Sequence, residues 1–227
     1  MADYRTEEEQ IELLKKWWRE NGKSTVAGVV IALAGYAGWM GWTSHPQSTM
    51  AAAADQYQQM LVLAETPDDQ GKAAEMAEQL RNQHPRTVYG VFAALYLAKN
   101  AVLANDLVRA GELLAWAREQ NVDPSLNPLV SLRQAQVLYA KGEYEQALSA
   151  LSGIRVGDAW EPAAAELRGD VLLAQGKPAE ARASYEAALK AIDNTATQDR
   201  RAELEMKLAD LAASPAAPAA SPEGGQP

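Results

Sequence analysis

Two histidines, His45 and His84, are all the imidazole chemistry this chain can offer, and it contains no cysteine. The missing thiols remove disulfides, thiolate catalysis, iron–sulfur clusters and Cys-ligated zinc together. A Ser-His-Asp machine or a poly-His metal site would have to use one of the two rings. His45 stands beside a long apolar stretch, and His84 precedes Pro85, a frequent helix-end arrangement. Paired carboxylates can do general acid–base work. The pairs present, Asp68 with Asp69 and Glu143 with Glu145, sit near turns and read as solvated charge. No glycine-rich phosphate loop and no acidic calcium loop occurs. The expectation is a protein without catalytic residues, cofactor or metal, and not an enzyme.

The balance of charge narrows the partners. Of 227 residues, 30 are acidic and 21 are Lys or Arg, a formal net charge of −9, which argues against a nucleic-acid partner. Hydrophobic residues make up 48%, enough for a packed core. What remains to be explained is which elements these residues build.

The first element is a membrane device. From Ser24 to Ala54 there is no charged side chain, and Ser24 to Trp42 would make a helix of roughly 28 Å at ~1.5 Å per residue. A bilayer core is ~30 Å thick. Trp17 and Trp18 precede this stretch, and Tyr36, Trp39 and Trp42 end it, the placement of interfacial aromatics. Arg5, Lys15, Lys16, Arg19 and Lys23 come before it, whereas the next base is Lys72. The positive-inside rule then keeps the N-terminus in the cytoplasm and exports the rest. A cleavable signal peptide, with small residues at Ala51-Ala52-Ala53, is the competing reading. Before the span, Ile11, Leu14 and Trp18 share one face of an amphipathic helix, which Asn21-Gly22 should interrupt or bend. Ala34-x-x-x-Gly38 and Ala37-x-x-x-Gly41 would permit close approach of another membrane helix.

Beyond His45-Pro46, where a helix cannot easily continue, the periodicity is helical and the sequence repeats. Lys141 to Leu148 recurs as Gln175 to Arg182, placing Gly142 and Gly176 34 residues apart, and Ala147 and Ala181 likewise. That is the tetratricopeptide period. In this frame Ala135 and Gly169 are the small residues of the first helices. Leu151, Ile154, Tyr185 and Ala188 pack late in the second. A third unit surrounds Asn105-Asp106-Leu107, with Ala98, Ala110, Leu114 and Ala117, and a degenerate fourth surrounds Gly71. Glu203 to Leu211 reads as a closing helix. The expected organisation is a cytoplasmic amphipathic segment (1–23), a transmembrane helix (24–43), an exported tetratricopeptide domain (46–212) and a disordered Ala/Pro tail (213–227). The fold class is all-α.

These features together resemble a known family. The prelude Glu7 to Trp18, followed by Glu20-Asn21-Gly22, leads into one anchor. Trp160 then precedes Glu166-Leu167-Arg168-Gly169-Asp170, with Gly176, Ala181-Arg182 and Tyr185-Glu186-Ala187 after it. The chain is similar over residues 4 to 211 to the YfgM family of Gram-negative inner-membrane tetratricopeptide proteins, ancillary subunits of the Sec translocon. The resemblance implies a place beside the translocon with a membrane-anchored periplasmic foldase. It also implies a part in passing emerging client proteins to periplasmic chaperones. Periodicity and composition by themselves imply only an anchored interaction module, and leave open a transmembrane regulator or a scaffold for envelope-assembly enzymes.

Arrays of this kind bind through the concave face of their first helices. The family frame assigns to that face Phe92, Leu95 and Lys99, then Leu129, Leu132, Gln136 and Tyr139, then Glu166 and Asp170. The face is expected to be apolar over two units and acidic at its C-terminal end, which favours protein partners. The alternative is that the helix from Ala51 to Leu63 folds over it.

Overall fold

A computed structural model of the chain describes residues 7–192 and 198–213, and side chains at all of these except 7–10, 37, 41–47 and 198. The described residues form α-helices and short 3₁₀ turns, and no strand. Contacts divide the chain between Ala54 and Asp55.

Helix α1 runs from Glu7 to Glu65, so Asn21-Gly22 does not interrupt it and, against the expectation from sequence, His45-Pro46 does not end it. At the first site the local chemistry explains the continuity. Ser24 and Thr25 both donate their hydroxyls to the Asn21 carbonyl at 2.9 Å, and the Trp18 ring lies 3.4 Å from where a Gly22 Cβ would be. The glycine there accommodates an indole and does not break the helix. At the second, α1 continues although an interior proline removes one backbone hydrogen bond and crowds the carbonyl four residues back.

The unit from Asp55 onward is built of helix pairs. After the end of α1 come α2 (Gln70–Gln83), α3 (Val88–Leu103) and α4 (Leu107–Gln120), then α5 (Asn127–Ala140) and α6 (Tyr144–Leu151). They are followed by α7 (Glu161–Ala174), α8 (Pro178–Ala191) and α9 (Gln198–Ala213). The Ala/Pro tail expected from 213 lies, beyond Ala213 itself, outside the described residues.

Three pairs, α3/α4, α5/α6 and α7/α8, share one turn. Asn105, Gly142 and Gly176 occupy its left-handed position with φ of 59°, 76° and 75°. In each, the following amide reaches back five residues: Asp106 to the Ala101 carbonyl (2.8 Å), Glu143 to Leu138 (2.9 Å), Lys177 to Leu172 (2.9 Å). This closes the carbonyls that a helix end leaves orphaned. An L-residue with a Cβ is disfavoured there, and Asn is tolerated better than most. Gly142→Ala or Gly176→Ala is therefore expected to cost about 1–2 kcal/mol, whereas Asn105→Gly should be close to neutral. Urea midpoints of the three variants check this, and an unaltered midpoint for Gly142→Ala would contradict the shared turn.

The small residues of the repeat sit where helices cross. Ala98, Ala110, Ala135, Ala147 and Ala181 are buried, and the Tyr185 ring occupies the space a side chain at Gly169 would need. Each core joins a pair to the next helix. Val91 and Ala94 meet Ala117 and Val130, the α5/α6 residues meet Ala164, Leu167 and Val171 of α7, and Leu204 of α9 closes the last core against Ala165 and Tyr185. The degenerate unit also folds as helices: Ala73, Ala77 and Leu80 of α2 are fully buried. Gly71, however, lies inside the first turn of α2 and does not form a left-handed turn.

Candidate functional site

First helices α3 and α5 face a common cavity of about 640 Å³, within the usual range for binding pockets. From α3 come Phe92, Leu95 and Lys99, at i, i+3 and i+7 and so on one side of the helix. From α5 come Leu129, Arg133 and Gln136, at i, i+4 and i+7. Tyr57 of α1 adds an aromatic edge, its ring 5.7 Å from Phe92 and 5.5 Å from Tyr89. Burial, and then the neighbouring Tyr89, push the Tyr57 hydroxyl above its ordinary pKa, so it faces the cavity as a neutral group. The covering helix thus meets Phe92, but it leaves Val102 and Leu103 on the cavity wall 43% and 76% exposed.

Lys99 and Arg133 are the charged residues of this lining, and no carboxylate joins them. Arg133 donates from Nη1 to Gln136 Oε1 at 3.0 Å. Sequence reasoning did not single out Arg133, Leu103 or Tyr57. For Arg133 a signal existed, because it stands four residues after Leu129 and three before Gln136 on the same helical stripe.

Two residues assigned to the groove lie elsewhere. Leu132 is 2% exposed in the core formed by α5, α6 and α7, and Tyr139 packs against that core with its ring 6.0 Å from Tyr144. They belong to the stripe of Leu132, Ala135 and Tyr139, which points toward the following pair. The acidic end of the expected groove is also occupied. Glu166 accepts from Arg200 at 3.1 Å and from Lys207 at 2.9 Å, both on α9, and Lys207 also reaches Asp170 at 2.9 Å. The Tyr185 hydroxyl donates to Asp170 at 2.8 Å. The C-terminal helix therefore neutralises a face that looked open in sequence.

The same cluster sets a pH dependence. Burial works to raise the Glu166 pKa, but the hydrogen bonds and charges of Lys207 and Arg200 outweigh it and hold the carboxyl below its ordinary 4.5. A depressed carboxylate contributes its stability above the unfolded pKa and loses it as pH falls through the folded one. Glu166→Gln is expected to lower stability at pH 7 by about 1–3 kcal/mol. The gap to the parent should shrink below about pH 4.5. Urea melts at pH 7 and across the acid range measure it, and a gap independent of pH would contradict the assignment.

Three of the carboxylates considered for chemistry are held by neighbouring side chains. Asp69 pairs with Lys72 at 2.7 Å, Glu143 with Lys141 at 2.5 Å, and Glu145 accepts from Gln175 at 2.8 Å. His84 caps α2, its amide donating to the Leu80 carbonyl at 2.9 Å. Among the described residues no cluster of His, Asp and Glu could hold a metal ion. Near the N-terminus, Trp17, Trp18 and Trp39 are exposed, and the Trp42 and His45 side chains lie outside those described. Among the described residues no helix is long and apolar enough to cross a membrane; Ala37, Gly41 and Trp42 of the expected span fall outside the described side chains.

Repeated turns, stacked helix pairs and a cavity between first helices define a tetratricopeptide-type array. Residues 15–213 match the family described as tetratricopeptide repeat-like domain. The chain is 33% identical over 205 residues to the ancillary SecYEG translocon subunit of Haemophilus influenzae, covering 90% of this chain and 95% of that protein. It is 30% identical over 213 residues to the protein of that name from Escherichia coli (93% and 99%), and 35% over 182 residues to that of Aggregatibacter actinomycetemcomitans (80% and 88%). Among solved structures, a MamA double mutant shares the fold with a TM-score of 0.52 at 12% identity, covering 72% of this chain and 97% of that one. The chain belongs to the tetratricopeptide repeat-like family that includes the ancillary SecYEG translocon subunits.

Proposed function

We propose that this protein is a non-catalytic adaptor of the Sec translocon, held in the inner membrane by its N-terminal helix with the helix pairs on the periplasmic side. The observation that carries the reading is the end-to-end similarity to proteins named as translocon subunits. The apolar cavity between α3 and α5 supports it, because apolar surface open to solvent suits a protein partner. The anchor is supported by a run of exposed apolar side chains on α1, among them Val29, Val30, Ile31 and Leu33. Leaving these in water would forfeit about 25 cal/mol per Å² that a bilayer supplies. Orientation rests on the bases before the run. A periplasmic foldase is the neighbour the reading adds, and emerging client chains are the cargo handed on to chaperones.

A photo-crosslinking residue placed at Leu103 or Leu129 in intact cells tests the adaptor role. Crosslinks to a translocon subunit or to a chain in transit are expected. Crosslinks to neither would overturn it. Protease added to spheroplasts tests topology: it should digest the helix pairs and spare the segment before Ser24, and protection of the helix pairs would refute the orientation.

A further inference from the structure

Lys15, Lys16, Arg19 and Lys23 stand just before the charge-free run that begins at Ser24, and all four are exposed. Helix α1 passes through this stretch without a break, which fixes their places along its axis. Lys15, Arg19 and Lys23 follow at i, i+4 and i+8, with Lys16 beside them, and form one strip. At ~1.5 Å per residue the strip ends about 14 Å from Ser24, whereas Glu12, Glu9, Glu8 and Glu7 lie about 18–26 Å away. Glu20 is the one acid among the bases. Beside the strip, Ile11, Leu14, Trp17 and Trp18 are exposed apolar side chains, and the two indoles line a notch with Leu14, Lys15 and Arg19. Gly22 is buried beneath the Trp18 ring, 3.4 Å from where its Cβ would be, which aims that indole toward the apolar run.

We infer that this basic strip and its two tryptophans bind the headgroups of anionic phospholipids. This rests on the membrane-anchored reading, and adds the chemistry of the lipid. The headgroup layer adds about 5–7 Å to each face of the hydrocarbon, so bases spread over about 14 Å straddle it. Screening acts over ~10 Å at 0.1 M salt, and the four glutamates begin roughly that far beyond the phosphates. A chain of net charge −9 thus turns a positive strip toward the lipid and keeps its acidic end out of range. The ammonium and guanidinium groups donate to phosphodiester oxygens, and the indoles lie at the same level against the upper acyl chains. A zwitterionic headgroup carries its own ammonium and gains less. The sorting of charge along the axis favours lipid over a protein helix, which would lie alongside both the acidic and the basic ends.

The chain has no cysteine, so a fluorophore on Ser24→Cys labels the full protein at one place. In phosphatidylcholine vesicles it is quenched on contact by a minor fraction of acyl-chain spin-labelled phosphatidylglycerol or phosphatidylcholine. Quenching by phosphatidylglycerol should exceed that by phosphatidylcholine about fivefold at about 0.1 M salt, the factor one base near an anionic surface is worth. The ratio should fall toward unity at about 1 M salt, where screening acts over ~3 Å. Changing Lys15, Lys16, Arg19 and Lys23 together to Gln, nearly as good a helix former, should abolish the ratio and keep helicity. Changing Glu7, Glu8, Glu9 and Glu12 to Gln should leave it unaltered at about 0.1 M salt; a rise would overturn the axial sorting on which the site is built. Equal quenching by the two lipids, or a ratio that survives loss of the four bases, overturns the inference and leaves the anchor standing. Quenching by neither would bring down the anchor reading as well. Both leaflets hold the same lipids, so no outcome depends on orientation.

Discussion

Gly169→Leu is expected to lower the melting temperature by ~6–12 °C, corresponding to about 3 kcal/mol for a domain of this size. The cause is a specific collision. A Cβ at residue 169 would lie 2.5 Å from Tyr185 Cδ1, well inside contact distance. Tyr185 is 1% exposed and cannot swing out into water, and its hydroxyl is tied to Asp170 at 2.8 Å. Overpacking of a dense core costs about 1–3 kcal/mol, and losing the hydrogen bond adds about 1 kcal/mol. The damage should spread to α9, because Leu204 and Lys207 both pack on the same tyrosine. Thermal melts followed by circular dichroism measure the effect. Gly169→Ala should show a smaller loss, and adding Tyr185→Leu to it should recover part, as a double-mutant cycle would reveal. An unchanged melting temperature for Gly169→Leu would mean the two helices do not cross there.

That crossing was legible in the sequence because it is repeated. Gly142 and Gly176 lie one period apart, and the same offset links Ala135 to Gly169 and Ala147 to Ala181. Repetition carries information that a single helix lacks, since each unit must solve the same packing problem. Even Asn105 stands where the register requires a left-handed residue. The helix boundary at His45-Pro46 was not legible. The residues around it, Thr43, Ser44, Ser48 and Thr49, are weak helix formers too, so local propensity gave no sign that α1 continues through Pro46.

The groove was only half legible, for a reason of geometry. A broad apolar face looks uniform in a periodic pattern, but on α5 it comprises two adjoining stripes, 129/133/136 and 132/135/139. On α3 one stripe predominates, and Phe92, Leu95 and Lys99 reach the cavity together. On α5 the two stripes both carry apolar residues, and Leu129 and Gln136 went to the cavity while Leu132 and Tyr139 went to the core. The acidic end failed differently. Glu166 and Asp170 find their counter-charges on α9, 34 to 41 residues further along, a pairing that no local spacing announces.

The two stripes of α5 should respond in opposite ways to the same substitution. Leu132→Glu is expected to unfold the array or come close to it. Removing a buried leucine costs about 2–5 kcal/mol, and a carboxylate set among Ala135, Leu151 and Val171 has no base to meet it. Several kcal/mol more go to desolvating the charge, unless it is taken up as a proton. The total rivals the ~5–15 kcal/mol that holds a domain together. Such a carboxyl would have its folded pKa raised, so its variant should lose stability as pH rises through the unfolded value near ~4.3. Melts at pH 5 and pH 8 should then differ more for Leu132→Glu than for Leu132→Gln, whose amide does not titrate. Leu129→Glu changes a half-buried residue on the cavity wall. Its charge can reach water, so helicity should survive while crosslinks from the cavity are lost. If instead Leu132→Glu folds normally and Leu129→Glu unfolds, the stripes have been assigned to the wrong faces of α5. The binding surface would then have to be sought on the side of the helix that α6 and α7 now cover.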